Sequence, residues 1–234
     1  MNGTKRRDLT IVPITTENCL VIACDSCGAV GIKDGDVYKL PPYYTGKFAA
    51  RVAFTEVMCS GALPVVITNG VSGEMYPTGE ETIKGIQEEL ENAGLTDIIL
   101  SGSTEENFPT SMTALATTVV GIAKENDLRF KQAAIGDKLI LISSPKVGTE
   151  VDIEGKGLYP EIVRLLSMPG VKEIVPVGSK GVAYEVKTLA SLSNRQAVLY
   201  ETGIDYEKSA GPATCLVVLS EETVPFGTVI GEIT

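Results

Sequence analysis

Residues 46–64 combine a helical pattern, one charge among apolar neighbours, and a clear end. Small and apolar side chains recur there at helical spacing, and Ser60 and Gly61, followed by Pro64, end the predicted helix. Glu56 lies on the alanine stripe of this helix. Because an ionised carboxylate buried without a partner is costly, we expect Glu56 to meet a cation, a hydrogen-bond donor or a proton. Glu56 is therefore the first candidate for chemistry.

The apolar segments on either side of this helix predict an α/β fold in both halves of the chain. The predicted strands are Cys19–Cys24, Pro64–Thr68, Asp97–Leu100, Thr113–Ala123, Lys138–Ser143, Glu173–Val177, Gln196–Tyr200 and Thr214–Leu219. The first of these strands is predicted to end in a polar turn at 25–28, and Asp97–Leu100 in a loop at 101–106. The other predicted helices are Thr78–Ala93, with a capping box at Thr78 and Glu81, Tyr159–Ser167 and Val182–Ser191. A charged stretch at 124–131 predicts two domains, 1–130 and 131–234.

Composition excludes several classes of partner and site. A net charge of −10 argues against nucleic acid and anionic membranes, and no apolar run approaches the roughly 20 residues of a membrane span. The basic start at Lys5–Arg7 superficially suggests a signal peptide. Polar residues and Pro13 interrupt the apolar region that should follow, so we expect a cytoplasmic protein.

The complete absence of histidine removes Ser-His-Asp and Cys-His catalysis and histidine metal sites. Five cysteines, an odd number, do not suggest a secreted disulfide framework. Cys24 and Cys27 form a C-x-x-C pair with two interpretations, a redox or half-zinc site and, favoured here, small residues in a packed turn.

Oxygen-bearing residues suited to Mg²⁺ follow or flank several predicted elements. Asp25 follows the first predicted strand, Glu56 lies on the helix, and Ser103 and Glu105 follow a later strand. In the alternative interpretation, Asp25 caps a turn and Glu56 pairs with a nearby Lys or Arg. The chain contains neither GxxxxGK[ST] nor GxGxxG after a strand, so standard phosphate-loop and dinucleotide motifs are absent.

The ordered set of these motifs resembles the aminoimidazole-ribonucleotide-synthetase-like superfamily. The set comprises Asp25-x-x-Gly28, then Gly46 … Glu56 … Gly61-Ala-Leu-Pro64, then Ser101–Thr104, then Gly136-Asp137. Members include thiamine-monophosphate kinase, selenophosphate synthetase and a hydrogenase-maturation protein. The resemblance spans nearly the whole chain.

The chain departs from the superfamily pattern at three places. Glu56 stands where an aspartate is usual, and Ser103 replaces the aspartate of a Gly-Gly-Asp-Thr loop, with Glu105 as a candidate substitute. The short second half carries residues 178–185 and 208–214 in place of a Ser-Asp-Gly segment. A compact member with such segments resembles α-ribazole kinase, which salvages the lower ligand of cobalamin.

The resemblance implies an ATP- and Mg²⁺-dependent kinase that phosphorylates the 5′-hydroxyl of α-ribazole. It also implies a homodimer in which the N-terminal sheet pairs across two subunits into a barrel, beside a compact C-terminal α/β domain. The resemblance implies that Asp25 and Glu56 are catalytic and that both, together with Asp36, are metal ligands. The residues that it implies around ATP are Lys5, Arg7, Gly28, Ser103, Thr104 and Glu105. The residues that it implies around the acceptor are Gly181, Glu185, Asp205 and Gly211.

Two other functions remain compatible with the sequence. One is a kinase or synthetase of the same superfamily that acts on another metabolite, such as a thiamine phosphate. The other is a non-catalytic, nucleotide-binding regulatory subunit, which the replacement at Ser103 favours.

Overall fold

The computed structural model describes residues 3–234. The chain forms two compact units. The first contains the residues up to Val57 together with Ala62–Glu125, and the second contains Met58–Gly61 with Asn126–Thr234. None of the helices in this described range has the length and apolar character needed to cross a bilayer.

The first unit is built on a six-stranded sheet. Its strands and helices are β1 (Thr4–Arg6), β2 (Leu9–Pro13), β3 (Asn18–Gly28), β4 (Val30–Gly31), β5 (Tyr38–Lys39), α1 (Pro42–Cys59), β6 (Leu63–Val71), α2 (Glu80–Asn92), β7 (Ile99–Thr104) and β8 (Ala114–Lys124). The sheet order is β1-β2-β3-β8-β6-β7, and β4 and β5 form a separate parallel pair. Only β6 and β7 are parallel within the large sheet, and α2 lies between them in the chain.

One face of this sheet carries the core of the first unit. Val21 on β3, Ile67 on β6 and Val119 on β8 are fully buried, as are Ala53 and Phe54 on α1. Side chains alternate between faces along a strand, so the residues between these buried positions lie on the opposite face. The two faces of the sheet therefore have different environments.

Helices α1 and α2 approach each other through glycine. A Cβ on Gly46 of α1 would lie 2.2 Å from the carbonyl oxygen of Thr82, and a Cβ on Gly85 of α2 would lie 1.8 Å from that of Tyr43. Both distances are shorter than van der Waals contact, so the two backbones can be this close only where no side chain intervenes.

Buried charge also joins these helices. Arg51 donates two hydrogen bonds to the carboxylate of Glu89, at 2.7 and 2.9 Å, and both residues are buried. The ammonium of Lys47, which is fully buried, lies 2.7 Å from Glu88. Removing one member of such a pair would leave a buried charge without its partner, which is strongly destabilising.

The second unit is an antiparallel five-stranded sheet with two helices. Its elements are β9 (Lys138–Ser143), α3 (Tyr159–Leu166), β10 (Val171–Pro176), α4 (Gly181–Leu192), β11 (Ala197–Leu199), β12 (Cys215–Ser220) and β13 (Thr228–Ile233), with short 3₁₀ turns at Glu125–Asp127 and Gly148–Glu150. The strand order is β10-β12-β9-β13-β11. The central strands β9 and β12 are buried on nearly every residue, because both faces of the sheet are covered.

The observed α/β architecture confirms the predicted fold class, and three local predictions were wrong. The polar turn predicted at 25–28 belongs to β3, which pairs with β8 as far as Gly28. The loop predicted at 101–104 is the end of β7. The predicted capping box does not form: Gly79 precedes α2 without a side-chain cap, and the hydroxyl of Thr78 donates to Glu74 instead.

The glycine contact between α1 and α2 leads to a stability prediction. Gly85→Ala would place a methyl group against the Tyr43 carbonyl, so we expect it to lower the free energy of unfolding by at least about 2 kcal/mol. Gly170→Ala, whose Cβ would meet its nearest neighbour at an ordinary 3.7 Å, should change stability by less than about 0.5 kcal/mol. Urea unfolding followed by circular dichroism measures the free energy of unfolding of both variants. If Gly85→Ala is as stable as Gly170→Ala, the close packing of α1 on α2 is refuted.

Candidate functional site

A row of four residues crosses the sheet of the first unit on the face that α1 covers. Asp25 on β3 pairs with Thr117 on β8, Thr117 pairs with Asn69 on β6, and Asn69 pairs with Gly102 on β7. The hydroxyl of Thr117 donates to Oδ1 of Asn69 at 3.3 Å. Three polar side chains are thus aligned on a face that is otherwise apolar.

Asp25 is a half-buried carboxylate without an ionic partner among residues 3–234. Burial raises the pKa of Asp25 to about 6. A hydrogen bond from the backbone of Ser26 opposes this increase, and the negative charge of nearby Asp8 adds to it. A cation beside this carboxylate would restore its charged form. Asp25 therefore has the chemical character of a cation ligand.

Glu56 is buried, and Arg7 is one of its partners. A guanidinium nitrogen of Arg7 lies 3.4 Å from Oε2 of Glu56, and both side chains are almost completely buried. Arg7 occupies the turn between β1 and β2, with a φ of 52°. The expectation that Glu56 meets a cation or a donor is thus met by a residue far away in the sequence.

Asp36 has a well-defined structural environment. Its carboxylate accepts hydrogen bonds from the backbone N–H groups of Lys33 and Thr113 and from the hydroxyl of Thr113, at 2.7–2.8 Å. Burial alone would raise the pKa of Asp36, but these hydrogen bonds outweigh it and lower the pKa. Most of the carboxylate lone pairs are occupied within the fold, and the metal role of Asp36 stays a prediction.

A second polar network joins the loop before β5 to the segment after β6. The ammonium of Lys33 forms an ion pair with the carboxylate of Glu74 and donates to the hydroxyl of Thr110 at 2.8 Å. Burial alone would raise the pKa of Glu74, but hydrogen bonds from Lys33 and Thr78 lower it to about 2. The network ties together three loops at one end of the sheet.

A cavity of about 500 Å³ lies beside β6, β7 and α2. Its lining includes the ends of the two parallel strands, the usual position of ligands in sheets with parallel strands. The polar residues around it include Asn69, Ser101, Ser103 and Thr104. Two of the residues predicted to bind ATP, Ser103 and Thr104, therefore line a cavity.

Glu105 and Glu106 follow β7 and have different partners. Glu105 accepts a hydrogen bond from the backbone of Asn107 at 2.6 Å. Glu106 accepts two hydrogen bonds at 2.8 Å, from the backbone of Met75 and from the hydroxyl of Thr104. Glu106, which the sequence analysis did not select, is the acid that contacts the cavity lining.

Lys5 and Gly28 lie on strands of the same sheet. Lys5, on the edge strand β1, is exposed and pairs with Thr10. Gly28 ends β3, and a Cβ placed on it would meet no atom within 4 Å. Both residues are accessible to a ligand, and their roles in binding ATP remain predictions.

The four predicted acceptor residues belong to the second unit, and three of them lie close together. Gly181 begins α4 with a φ of +80°, and its Cβ would lie 2.6 Å from the carbonyl oxygen of Tyr206. Glu185 is buried one turn further along α4. Asp205 is exposed and accepts a hydrogen bond from the backbone of Glu207. The close neighbour of Gly181 is thus the backbone of this chain, whereas Gly211 has open space around it.

The C-x-x-C pair cannot act as a unit. Cys24 and Cys27 lie three residues apart on the extended strand β3, so their side chains point to opposite faces of the sheet. Cys24 is exposed, whereas burial raises the pKa of Cys27 to about 11. Neither a disulfide nor a shared zinc site fits this geometry, and the preferred packed turn was also wrong because the segment is a strand.

Within residues 3–234, no group of three carboxylate or thiol side chains is arranged to hold a metal ion. A Mg²⁺ ion bound with a nucleotide usually takes only one or two protein carboxylates, because phosphate oxygens and water complete its shell. The lack of a three-ligand group is therefore compatible with such an ion, and the metal roles of Asp25 and Glu56 stay predictions.

The family model for the AIR synthase related protein, N-terminal domain, matches residues 6–123. This chain belongs to the AIR synthase-related family. No curated protein sequence matches it.

Solved structures share its fold at low sequence identity. Thermotoga maritima PurL complexed with AMPPCP matches at 15% identity and a TM-score of 0.70, over 95% of this chain and 41% of PurL. Escherichia coli HypE, a hydrogenase maturation protein, matches at 19% identity and a TM-score of 0.67, over 92% of this chain and 79% of HypE. A chain of a HypE–HypF complex matches at 16% identity and a TM-score of 0.68, over 96% of this chain and 86% of that chain. This chain thus spans about two fifths of the length of PurL.

Besides Glu106, three groups of the site were not predicted from the sequence: Asn69, Thr117 and Lys33. Asn69 and Thr117 lie inside apolar β-branched segments, and their polar character at buried positions was the available signal. Lys33 gave no comparable signal, because its partners Glu74 and Thr110 are 41 and 77 residues away.

The Lys33–Glu74 pair predicts a dependence of stability on pH. The fold lowers the pKa of the Glu74 carboxyl from its ordinary 4.5 to about 2, so its contribution is present above about pH 4.5 and is lost as the pH falls toward 2. Because this side chain is 35% exposed, we expect a contribution of only about 1–2 kcal/mol.

Lys33→Met should therefore be less stable than the native protein at about pH 6, and the difference should shrink at about pH 2.5. Lys84→Met, which removes only exposed ion pairs, is the control and should change stability little at either pH. Urea unfolding at the two pH values measures the effect. A difference that does not depend on pH would contradict the assignment.

Proposed function

We propose that this protein is an ATP- and Mg²⁺-dependent kinase that phosphorylates a hydroxyl group of a small nucleoside, with α-ribazole as the acceptor. The observation that carries the proposal is Asp25, a half-buried carboxylate without a cation partner in the described chain, in a polar row whose other side chains are buried. Phosphoryl transfer depends mainly on positioning and charge neutralisation, so it needs no histidine.

The comparisons support ATP as the phosphoryl donor. PurL from T. maritima has been solved with AMPPCP, with ADP and with ATP, and its fold matches 95–99% of this chain. Because identity is only 13–15%, the shared fold supports a nucleotide site in general rather than the same substrate. The acceptor is proposed from the motif resemblance.

Asp25 is the primary proposed Mg²⁺ ligand, with Glu56 as the second. Asp25 has no competing cation among the described residues, whereas Glu56 must share its charge with Arg7. Bound Mg²⁺ would neutralise phosphate charge and orient the transferred group. Arg7 holds the carboxylate of Glu56 in place, which gives this arginine a positioning role.

The remaining ATP contacts are proposed around the same sheet. Gly28 offers backbone without a side chain at the end of β3, close in the chain to Asp25. Ser103 and Thr104 line the cavity next to β7, and Glu105 follows them. Lys5 is an exposed cation on the edge strand. The proposed acceptor residues belong to the second unit. They are Glu185, Asp205 and Gly211, and Gly181 supports them through its backbone.

One observation favours a second candidate function, a nucleotide-binding subunit without catalysis. Ser103 occupies the position of a loop aspartate in the superfamily pattern, so one expected metal ligand is missing. Formation of ADP that depends on added nucleoside separates the enzyme from the binding protein.

The catalytic proposal predicts that Asp25→Asn removes turnover. We expect the rate of nucleoside-dependent ADP formation to fall by about two to three orders of magnitude, because a neutral amide cannot replace a charged ligand. Asp8→Asn is a matched control, since Asp8 is a nearby but exposed carboxylate. Mass spectrometry of products from a panel of nucleosides and vitamin precursors identifies the acceptor.

Two outcomes would reject this proposal. If the native protein forms no ADP with any nucleoside but binds ATP, the non-catalytic function is correct. If Asp25→Asn keeps near-normal turnover, Asp25 is not the metal ligand.

We also propose that the protein is a homodimer, formed through the sheet face that α1 does not cover. Apolar side chains pair across this face, including Leu63 with Ile122 and Val66 with Ile99. Ile99, Leu63 and Ile122 are 65%, 61% and 38% exposed. A contiguous apolar sheet face of this kind is typical of an interaction surface.

The dimer proposal predicts that a charge on this face separates the subunits. Light scattering at low micromolar concentration should give twice the mass of one chain for the native protein and a monomer for Ile122→Lys, because a lysine would be buried without a partner. Ile135→Lys, at a 71% exposed position in the second unit, should stay dimeric. A monomeric native protein would contradict the proposal.

A further inference from the structure

The cavity beside β6, β7 and α2 differs from a phosphate site in its charge. Among the described residues that line it, none is charged. We propose that this cavity binds the uncharged base and sugar of a nucleoside, with any phosphate outside it. The inference deepens the proposed function and rests on it for the choice of ligands.

The apolar part of the cavity suits a flat ring. Val71 and Leu100 contribute from the two parallel strands, Ile83 from α2, and Met75 from the turn before that helix. A volume of about 500 Å³ lies within the usual range for small-molecule sites and accommodates a base with its sugar. Ring burial against such side chains would supply most of the binding energy.

Asn69 provides a specific polar contact in this apolar lining. The residue is 4% exposed, and its Oδ1 accepts the hydroxyl of Thr117. Its amide Nδ2 makes no hydrogen bond within residues 3–234, although Asn69 lines the cavity. Nδ2 is not one of the fully buried side-chain atoms that lack a partner, so it keeps some exposure and can donate to a ligand. A ring nitrogen or carbonyl oxygen of a base would satisfy it.

Glu106 gives the cavity rim a negative charge. Its Oε1 accepts hydrogen bonds from Met75 and Thr104, which both line the cavity, whereas Oε2 has no partner in the described chain. A carboxylate repels phosphate and accepts hydrogen bonds from sugar hydroxyls, the role that an acidic residue has toward ribose in dinucleotide sites. The rim therefore selects a nucleoside over a free phosphate.

Adenosine, the nucleoside of the proposed donor ATP, meets this description, because Ser103 and Thr104 of the cavity lining are proposed ATP contacts. Binding of the acceptor α-ribazole here instead would move the acceptor site away from the second unit. In the absence of Mg²⁺, the full chain is titrated calorimetrically with each nucleoside and with the free base of each. These titrations identify which ligand binds. Binding of either nucleoside supports the site, and the one that binds more tightly identifies its source.

The variants test the cavity directly. Asn69→Leu, which loses the amide, and Ile83→Phe, which fills part of the space, should each weaken nucleoside binding about tenfold or more. Glu106→Gln should weaken binding of the nucleoside by about five- to tenfold but leave the free base unchanged, because only the sugar contacts this acid. Urea unfolding confirms that each variant is folded, and Ile83→Phe, at a half-buried position, keeps the test valid if Asn69→Leu does not fold.

Controls and outcomes distinguish this inference from the proposed function. Ile135→Phe and Glu91→Gln, both at exposed positions away from the cavity lining, should bind nucleoside like the native protein. No nucleoside binding by the native protein at millimolar concentration, or binding that Ile83→Phe and Glu106→Gln leave unchanged, overturns the inference. Nucleoside binding that depends on the cavity, without any ADP formation, supports the inference and rejects the kinase.

Discussion

The close packing of α1 on α2 is the constraint on which the rest of the first unit depends. Glycine at positions 46 and 85 allows the two backbones to touch, and the buried Arg51–Glu89 pair fixes them in register. Helix α1 packs on the sheet through residues such as Ala49, and α2 forms one wall of the cavity. The position of the cavity wall is therefore set by a contact that lies outside the site.

The polar row across the sheet separates a charged part of the site from an uncharged part. Asp25 and Asn69 lie two strands apart, about 10 Å at the usual strand spacing, with Thr117 between them. The carboxylates Asp25 and Glu56 belong to the β3 and α1 side, whereas the cavity at β6 and β7 has no charged lining within the described chain. This separation matches a ligand with one ionic end and one neutral, ring-bearing end.

Buried charges in this protein have two kinds of environment. Arg51 with Glu89, and Lys172 with Asp137, are buried pairs in which each charge has a partner of opposite sign. Asp25 is different, because burial raises its pKa and no described cation compensates. A carboxylate that the fold leaves without an ionic partner is a better functional candidate than a fully paired one.

The sequence by itself determined the elements whose signal is local. It predicted the fold class, the bounds of the strand Lys138–Ser143, the end of α1 at Cys59 and the burial of Glu56, because periodicity and helix-stop residues act over a few positions. Tertiary structure decided the rest. The pairing of Arg7 with Glu56, the extension of β3 through Asp25, and the cavity lined by Asn69 all depend on contacts between residues far apart in the chain, which no local pattern encodes.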